Sequence, residues 1–233
     1  MDLVGRIYAD ARKRGELEAK RSYTASHFHA SESGDCKREL ALRRTIHPRE
    51  RFDEPSSLLR LQDGHVHHSA VREIIRGIPG ITLTNIEHDE ILFVELEGYP
   101  PFVVTGHCDG HLHDSGDPEA YVLEVKGLNR FSFQKLKSEQ IDTLREVYPK
   151  AIPQARMYMG MMEKEKALIL IKNKDTSELK QFTLEHDEKK YMKLIMKFAE
   201  ISKLLGQKDL PLCDFLKGSK QCRFCNYPSL CGR

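Results

Sequence analysis

Two strand-like stretches decide the fold of this chain: Phe102-Val103-Val104-Thr105-Gly106-His107-Cys108-Asp109 and Tyr121-Val122-Leu123-Glu124-Val125-Lys126. Apolar and polar residues tend to alternate along them, and a period of two is typical of β-strands. The turn-rich segment Asp114-Ser115-Gly116-Asp117-Pro118 lies between them and predicts a hairpin. Because residues i and i+2 of a strand point to the same side, Glu124 and Lys126 share a face, and the hairpin brings Asp109 toward them.

The pattern on either side of this hairpin predicts a mixed α/β (α+β) fold. We expect the first four strands to form an antiparallel meander, followed later in the chain by one more strand pair. The additional strand-like runs are 81–86, 90–95, 167–172 and 178–184. Helical periodicity occurs in the stretches 2–20, 58–75, 132–148, 153–164 and 187–205.

The composition excludes several classes of protein. Apolar residues make up 39% and charged residues 31% of the 233 residues, as expected for a soluble globular protein, and no apolar run is long enough for a membrane helix. The 37 Lys and Arg against 35 Asp and Glu leave a net charge of +2, so the whole chain lacks the basic signature of many nucleic-acid-binding proteins. The amino-terminal sequence has no secretory signal pattern, and we therefore expect a cytoplasmic protein.

Asp109, Glu124 and Lys126 are the residue types that phosphodiester hydrolysis needs. Carboxylates bind Mg²⁺ or Mn²⁺, the metal polarises the phosphoryl group and lowers the pKa of a bound water, and a lysine orients the nucleophile and offsets negative charge. The backbone carbonyl of Val125 is a candidate for a further metal ligand. An acid-x-lysine pattern by itself is common on the solvated face of a strand, so the spacing alone is a weak signal.

Two helical features strengthen the prediction of a metal site. Gly64-His65-Val66-His67-His68 lies in an apolar-periodic helix, where one imidazole can point to the metal. We favour His68 as that ligand, with His67 as the alternative. Gln154 and Tyr158 are four residues apart, so a helix would present both on one face, offering an amide and a phenol to a phosphate or a water molecule.

A second interpretation starts from the alternating residues His107, Asp109, His111 and His113. Such clusters are typical of histidine-rich zinc hydrolases, which also require metal-binding histidines later in the chain. Only His186 follows, in a segment rich in acids and lysines. We therefore rank this interpretation below the phosphodiesterase site.

The cysteines are concentrated at the carboxyl end, where four of the six lie in the last 21 residues. Cys222-x2-Cys225-x5-Cys231 supplies three thiolates, which suit an iron-sulfur cluster or zinc. The fourth ligand is either Cys213, which is close in sequence, or Cys36, which would join the first helices to the tail. Disulfides are unexpected in a reducing compartment.

In order and spacing, these motifs resemble the iron-sulfur, RecB-like branch of the PD-(D/E)XK nucleases, in particular the CRISPR-associated Cas-four family and the AddB nuclease domain. The resemblance implies a restriction-endonuclease-like core with a central mixed sheet flanked by helices. It divides one integrated domain into a helical segment at 1–60, a nuclease core at 61–205 and a cysteine segment at 206–233. It also implies a [4Fe-4S] cluster on Cys36, Cys222, Cys225 and Cys231, and a Mn²⁺ or Mg²⁺ site formed by His68, Asp109, Glu124 and Val125, with Lys126, Gln154 and Tyr158 as further catalytic residues.

The activity implied by this resemblance is cleavage of DNA, most often single-stranded and from an end with 5′ to 3′ polarity. The biological context would be CRISPR spacer acquisition with the Cas-one and Cas-two integrase, or recombination and repair with a separate helicase, since the chain has no phosphate-binding loop of its own. Arg130, Phe131 and Lys135 are candidates to contact the strand. The alternative from another class is a non-catalytic iron-sulfur or zinc module that binds DNA or supports assembly.

Overall fold

The computed structural model describes residues 2–19, 23–45, 55–86, 88–216, 219–223 and 225–230. The helices are α1 (Leu3–Ala19), α2 (Lys37–Arg44), α3 (Pro55–Arg76), α4 (Arg130–Phe133), α5 (Ile141–Val147), α6 (Ala151–Met161), α7 (Glu188–Gly206) and α8 (Lys220–Arg223), with a 3₁₀ helix at Ala30–Gly34. The strands are β1 (His27–His29), β2 (Ile81–Thr84), β3 (Asp89–Val94), β4 (Phe102–His107), β5 (Gly110–Asp114), β6 (Ala120–Leu128), β7 (Lys166–Asn173) and β8 (Leu179–Glu185).

The larger sheet has five strands in the order β2-β5-β6-β7-β8. All neighbours in it are antiparallel except β6 and β7, which are parallel, so the sheet is mixed, as expected. The chain crosses from β6 to β7 through α4, α5 and α6, because parallel neighbours need a long connection. A smaller sheet has the order β1-β4-β3.

Helices cover both faces of the larger sheet. On one face, Val71 and Ile75 of α3 pack against Leu123 and Val125 of β6. On the other face, Val122 and Leu128 of the same strand join a core that includes residues of α6 and α7. Since side chains alternate along β6, Glu124 and Lys126 lie on the face covered by α6. The expected layer arrangement, a mixed sheet between helices, is therefore confirmed.

The expected antiparallel meander forms only in part, because β3 and β4 pair antiparallel while β2 and β6 belong to the other sheet. The stretch 102–109 contains the whole of β4, which pairs with β3 in the smaller sheet, and then two residues that lead to β5 in the larger sheet. Between the two sheets the backbone turns at Gly110, whose φ of 146° is a conformation that residues with a Cβ rarely adopt. A Cβ at this position would also lie 2.7 Å from Leu83 Cδ1, so the crossing needs glycine. The hairpin between β5 and β6 does form.

The expected helix at 132–148 is also different, because α4 and α5 are separated by residues 134–140. The carbonyl of Leu136 accepts a hydrogen bond from Lys180 Nζ on β8 instead of continuing a helix. Ser138 Oγ also contacts Thr143 Oγ1 at 2.9 Å, which joins this connecting segment to α5. The long carboxyl-terminal helix is confirmed as α7, and the side chain of Asp187 caps it by accepting from the Lys190 backbone N–H at 3.0 Å.

None of the described helices combines the length and the apolar composition that crossing a membrane requires.

Candidate active site

A cavity of about 440 Å³ opens where α3, β4, β6 and α6 meet. Three of these elements contribute residues from the sequence motifs, and the turn after β4 contributes Asp109. The lining residues are His68, His107, Cys108, Asp109, Glu124, Lys126 and Gln154. The structure thus brings together five of the residues that sequence patterns single out for phosphodiester chemistry, although they are separated by up to 86 positions in the chain.

Asp109 is held from both sides. Its Oδ1 accepts a hydrogen bond from His68 Nδ1 at 2.8 Å, and its Oδ2 accepts one from the backbone N–H of Val125 at 2.7 Å. Burial by itself raises the pKa of this carboxyl, but the hydrogen bond and charge of His68, together with the Val125 hydrogen bond and the charge of Lys126, bring the pKa below its ordinary value. Asp109 therefore remains ionised at neutral pH.

Glu124 and Lys126 form an ion pair across the shared strand face. Only 1% of the Glu124 surface is exposed. Burial raises the pKa of Glu124, and the negative charge of Asp109 adds to this effect, whereas the ammonium of Lys126 opposes it. Burial by itself lowers the pKa of Lys126, but the carboxylate of Glu124 outweighs that effect and raises it, so Lys126 stays cationic.

Gln154 and Tyr158 have different positions. Gln154 lines the cavity. Tyr158 is buried, and its hydroxyl donates to the backbone carbonyl of His107 at 2.8 Å. Burial raises the pKa of this phenol. The hydroxyl therefore uses its single donor hydrogen to hold the end of β4.

Gly106 allows Tyr158 to take this position. A Cβ at residue 106 would lie 2.8 Å from the Cε1 and Oη atoms of Tyr158 and 3.0 Å from Ala30 Cβ. Contacts that short force a shift of the ring or the strand. The glycine of the sequence Gly106-His107-Cys108-Asp109 therefore has a packing role beside the site.

The choice between neighbouring histidines is settled in favour of His68 as the one that contacts Asp109. His67 is also partly buried, and burial together with the charges of Lys172 and Lys174 lowers its pKa. The side chain of His65 lies outside the described residues.

The histidine-rich zinc site does not form as the alternation suggested. His107 ends β4, whereas His111 and His113 belong to β5. His111 contacts Asn85 Nδ2 at 3.3 Å and Met162 Sδ at 2.9 Å, and His113 is exposed. The period of two is broken at Gly110, so His107 is not in line with the other two.

Arg72 was missed by the sequence analysis. It is buried one helical turn after His68, and its Nη1 lies 3.5 Å from Asp109 Oδ1. Its Nη2 donates to Ser69 Oγ at 3.2 Å. The available signal was the spacing of four residues from His68, which places both side chains on one helix face.

The proposed strand-contacting residues follow β6. Phe131 is 78% exposed, and Arg130 and Lys135 are also exposed. The backbone N–H of Arg130 donates to Asp175 Oδ2 at 2.7 Å, which fixes the start of α4. Phe133, two residues after Phe131, is buried in the core, with Lys180 Nζ 5.3 Å from its ring centroid.

Cysteine contacts occur both between the two ends of the chain and within the tail. Cys36 Sγ lies 3.5 Å from Cys213 Sγ, while the Cys225 backbone N–H donates to the Cys222 carbonyl at 3.3 Å within the tail. Cys231 lies outside the described residues. Cys108 is fully buried, and burial raises the pKa of its thiol to about 12, which is typical of an unreactive cysteine.

The tail does pack against the first helices, as a ligand at Cys36 would require. The backbone N–H of Lys37 donates to Asp214 Oδ2 at 2.7 Å, and Asn226 Nδ2 donates to Glu39 Oε1 at 2.9 Å. Within the described ranges, no three His, Cys, Asp or Glu side chains are arranged so that they could hold a metal ion.

The chain matches no protein-family model and no curated protein. Among solved structures, SSO0001 is similar with a TM-score of 0.58 and 12% sequence identity, over 98% of this chain and 95% of SSO0001. LHK-Exo in complex with dAMP is similar with a TM-score of 0.49 and 13% sequence identity, over 84% of this chain and 93% of LHK-Exo. LHK-Exo is an alkaline exonuclease from Laribacter hongkongensis. A phage-related exonuclease from Haemophilus somnus 129PT is similar with a TM-score of 0.44 and 13% sequence identity, over 82% of this chain and 99% of the exonuclease. The likeness to SSO0001 shows that this chain shares its fold.

Proposed function

We propose that this protein is a divalent-metal-dependent nuclease that hydrolyses phosphodiester bonds of DNA. The observation that carries the proposal is the meeting of two buried carboxylates, Asp109 and Glu124, with the ammonium of Lys126 at one cavity. Buried like charges raise the free energy of a protein, so a site of this kind calls for a functional explanation.

The residue types at the cavity suit a hard or borderline cation, although the described side chains are not already drawn together in a group of three that could hold one. Glu124 Oε1 is buried and, apart from its ion contact with Lys126, receives no hydrogen bond, so it is available for a cation. Asp109, Glu124, the Val125 carbonyl and His68 would hold Mn²⁺ or Mg²⁺, and the imidazole favours Mn²⁺. When bound, the metal would supply Lewis-acid polarisation of the phosphoryl group and a lowered pKa for water.

The chain's own residues supply the remaining functions. Val125 N–H and His68 Nδ1 fix the orientation of the Asp109 carboxylate. Lys126 brings a positive charge to the cavity, where it neutralises charge that develops on a phosphate oxygen and orients the attacking water. The amide of Gln154 adds a hydrogen-bond donor to the lining of the cavity. Tyr158 donates to the carbonyl of His107 and so positions the end of β4, and its phenol supports the site from there.

The substrate we propose is single-stranded DNA, or DNA with single-stranded ends, cut from an end with 5′ to 3′ polarity. The exposed Arg130, Phe131 and Lys135 support this, since cations track phosphates and an exposed aromatic ring stacks on an unpaired base. The resemblance to the Cas-four and AddB nucleases supports CRISPR spacer acquisition with the Cas-one and Cas-two integrase, or recombination and repair with a helicase.

We also propose a [4Fe-4S] cluster on Cys36, Cys222, Cys225 and Cys231. The packing of the tail on α2 supports it, because Asn226 beside Cys225 contacts Glu39, one turn of helix after Cys36. Protein purified without oxygen would be brown, and Cys222→Ala would remove the broad visible absorbance. Colourless protein with stoichiometric zinc would contradict the cluster.

Cleavage of end-labelled single-stranded DNA in the presence of Mn²⁺ tests the nuclease directly. We expect wild-type protein to cut, and Asp109→Ala, Glu124→Ala and Lys126→Ala each to lose cleavage. Glu97→Ala, which changes an exposed acid in a loop, is the control and should cut like wild type. Cleavage that survives all three site variants contradicts the assignment.

A second candidate is a non-catalytic module that binds DNA or supports assembly. The favouring observation is that Lys126 engages Glu124 directly and that the described residues include no ready group of three metal ligands. Binding of single-stranded DNA without metal-dependent cleavage, unchanged by Glu124→Ala, would support this candidate over the nuclease.

A further inference from the structure

The contact between Cys36 and Cys213 has no part in the proposed nuclease site. Their sulfur atoms lie 3.5 Å apart, although 177 positions separate them in the chain. Cys36 precedes α2, and Cys213 lies in the segment after α7. The four-cysteine cluster leaves Cys213 unused, so this contact is not explained by the cluster.

Neighbouring residues hold the two cysteines together. The Lys37 backbone N–H donates to Asp214 Oδ2 at 2.7 Å, which joins the residues that directly follow each cysteine. Arg38 Nη1 donates to the carbonyl of Pro211 at 3.2 Å, on the other side of Cys213. A disulfide needs a sulfur separation of about 2.05 Å, so closing the pair requires a movement of roughly 1.5 Å.

We propose that Cys36 and Cys213 form a reversible disulfide when Cys36 holds no metal or cluster. The proposal goes beyond the nuclease activity and does not depend on it. The disulfide would join the start of α2 to the tail in the metal-free protein, and it would compete with a cluster because both need Cys36.

The reaction is an exchange with a small disulfide such as oxidised glutathione. The Cys213 thiolate is the more exposed of the two and attacks one sulfur of the reagent, which forms a mixed disulfide and releases one thiolate. The Cys36 thiolate then attacks the Cys213 sulfur and releases the second. The protein loses two electrons and two protons, and the reagent becomes two thiols.

Trypsin separates the relevant cysteines cleanly. Cleavage after Lys and Arg puts Cys36 in peptide 22–37, Cys213 in 209–217, Cys222 in 221–223, and Cys225 with Cys231 in 224–233. Full-length protein treated with a chelator is incubated with a glutathione buffer, alkylated and digested without reduction. We expect the 22–37 to 209–217 link to exceed any link from 22–37 to another peptide by about tenfold, and dithiothreitol to remove it.

Two variants make the result decisive. Cys213→Ser should abolish the link, and the double variant Cys222→Ser/Cys225→Ser, which cannot hold the cluster, should form it without chelation. The link should raise the midpoint of thermal unfolding by roughly 5 to 10 °C. The proposal is overturned if Cys36 links preferentially to 221–223 or 224–233, or if no link forms in the folded double variant.

Absorbance of protein purified without oxygen separates this proposal from the cluster. If Cys213→Ser keeps the visible absorbance of wild type, Cys213 is not a ligand, as we expect. Loss of absorbance in this variant makes Cys213 a ligand and overturns the disulfide proposal. Loss of the visible absorbance in Cys222→Ala supports the cluster and does not test the disulfide.

Discussion

The backbone N–H of Val125 donates a 2.7 Å hydrogen bond to Oδ2 of Asp109, which lies 16 residues earlier in the chain. This bond ties the turn before β5 to the strand that carries Glu124 and Lys126. It also leaves the negative charge of Asp109 next to the cavity rather than paired with an exposed cation. The acid is thus positioned by the backbone of the strand whose side chains complete the site.

Replacement of Asp109 separates its structural from its chemical role. Asp109→Asn keeps an oxygen to accept from Val125, so we expect it to fold with nearly wild-type stability while cleavage falls by about 100-fold or more. Asp109→Ala leaves the buried Val125 N–H without an acceptor and should cost about 1–3 kcal/mol more. Urea unfolding and single-stranded DNA cleavage measure the two effects. Equal cleavage of DNA by Asp109→Asn and by wild-type protein would contradict a role for the charge of Asp109.

Glu124 makes the metal-free protein less stable as the pH rises. Its folded-state pKa is raised, so its favourable contribution to folding is fully present below the unfolded pKa, near 4.5, and is lost as the pH rises through the folded value. Glu124→Gln removes this loss, so we expect the variant to gain stability relative to wild type as the pH rises from about 4.5 through the folded pKa, by about 1.4 kcal/mol for each unit of pKa difference. Urea unfolding in the presence of a chelator measures this difference in folding stability. A constant difference across this range would contradict the raised pKa.

Arg72 should matter to the site although no motif includes it. Its guanidinium lies 3.5 Å from Asp109 Oδ1, so Arg72→Met removes a buried cation beside the carboxylate and should cost about 3 kcal/mol of folding stability. Arg72→Lys should restore part of it. Arg76→Met, one turn further along α3 and exposed, is the matched control and should change stability by less than about 0.5 kcal/mol. Thermal unfolding of the three variants measures these changes in folding stability.

Two glycines should respond in opposite directions to alanine. Gly106→Ala places a methyl group 2.8 Å from the Tyr158 ring, and we expect a loss of about 1–3 kcal/mol. Gly64 lies inside α3, where a Cβ would meet none of the described atoms within 4 Å, so Gly64→Ala should gain about 0.5–1 kcal/mol. Urea unfolding of the pair checks the packing argument, which fails if both variants change stability alike.

Local patterns were sufficient for a large part of the fold. The alternation of β6 predicted that Glu124 and Lys126 share a face, and Asp114 to Pro118 predicted the hairpin with β5. The helical period predicted α1, α3, α6 and α7 within a few residues. These features depend on neighbours close in sequence, which is why they are visible there.

Other features depend on residues that are distant in sequence. Gly110 turns the chain into a second sheet, so the alternating run 107–113 is divided between the end of β4 and β5. The carbonyl of Leu136 accepts a hydrogen bond from Lys180 Nζ of β8 and does not continue the expected helix. Neither the second sheet nor the contact with Lys180 can be identified from the local pattern, because both exist only once β8 and the two sheets are in place.

Local sequence patterns are enough to predict the residue types of the site and the strand face that carries Glu124 and Lys126, because a strand alternates wherever it lies. That His68 rather than His67 contacts Asp109 depends on the three-dimensional packing, since the contacts of Val71 and Ile75 with the sheet set the rotation of α3. The packing also placed Tyr158 in the core and Cys36 beside Cys213. Those outcomes depend on long-range packing, which no spacing along the chain encodes.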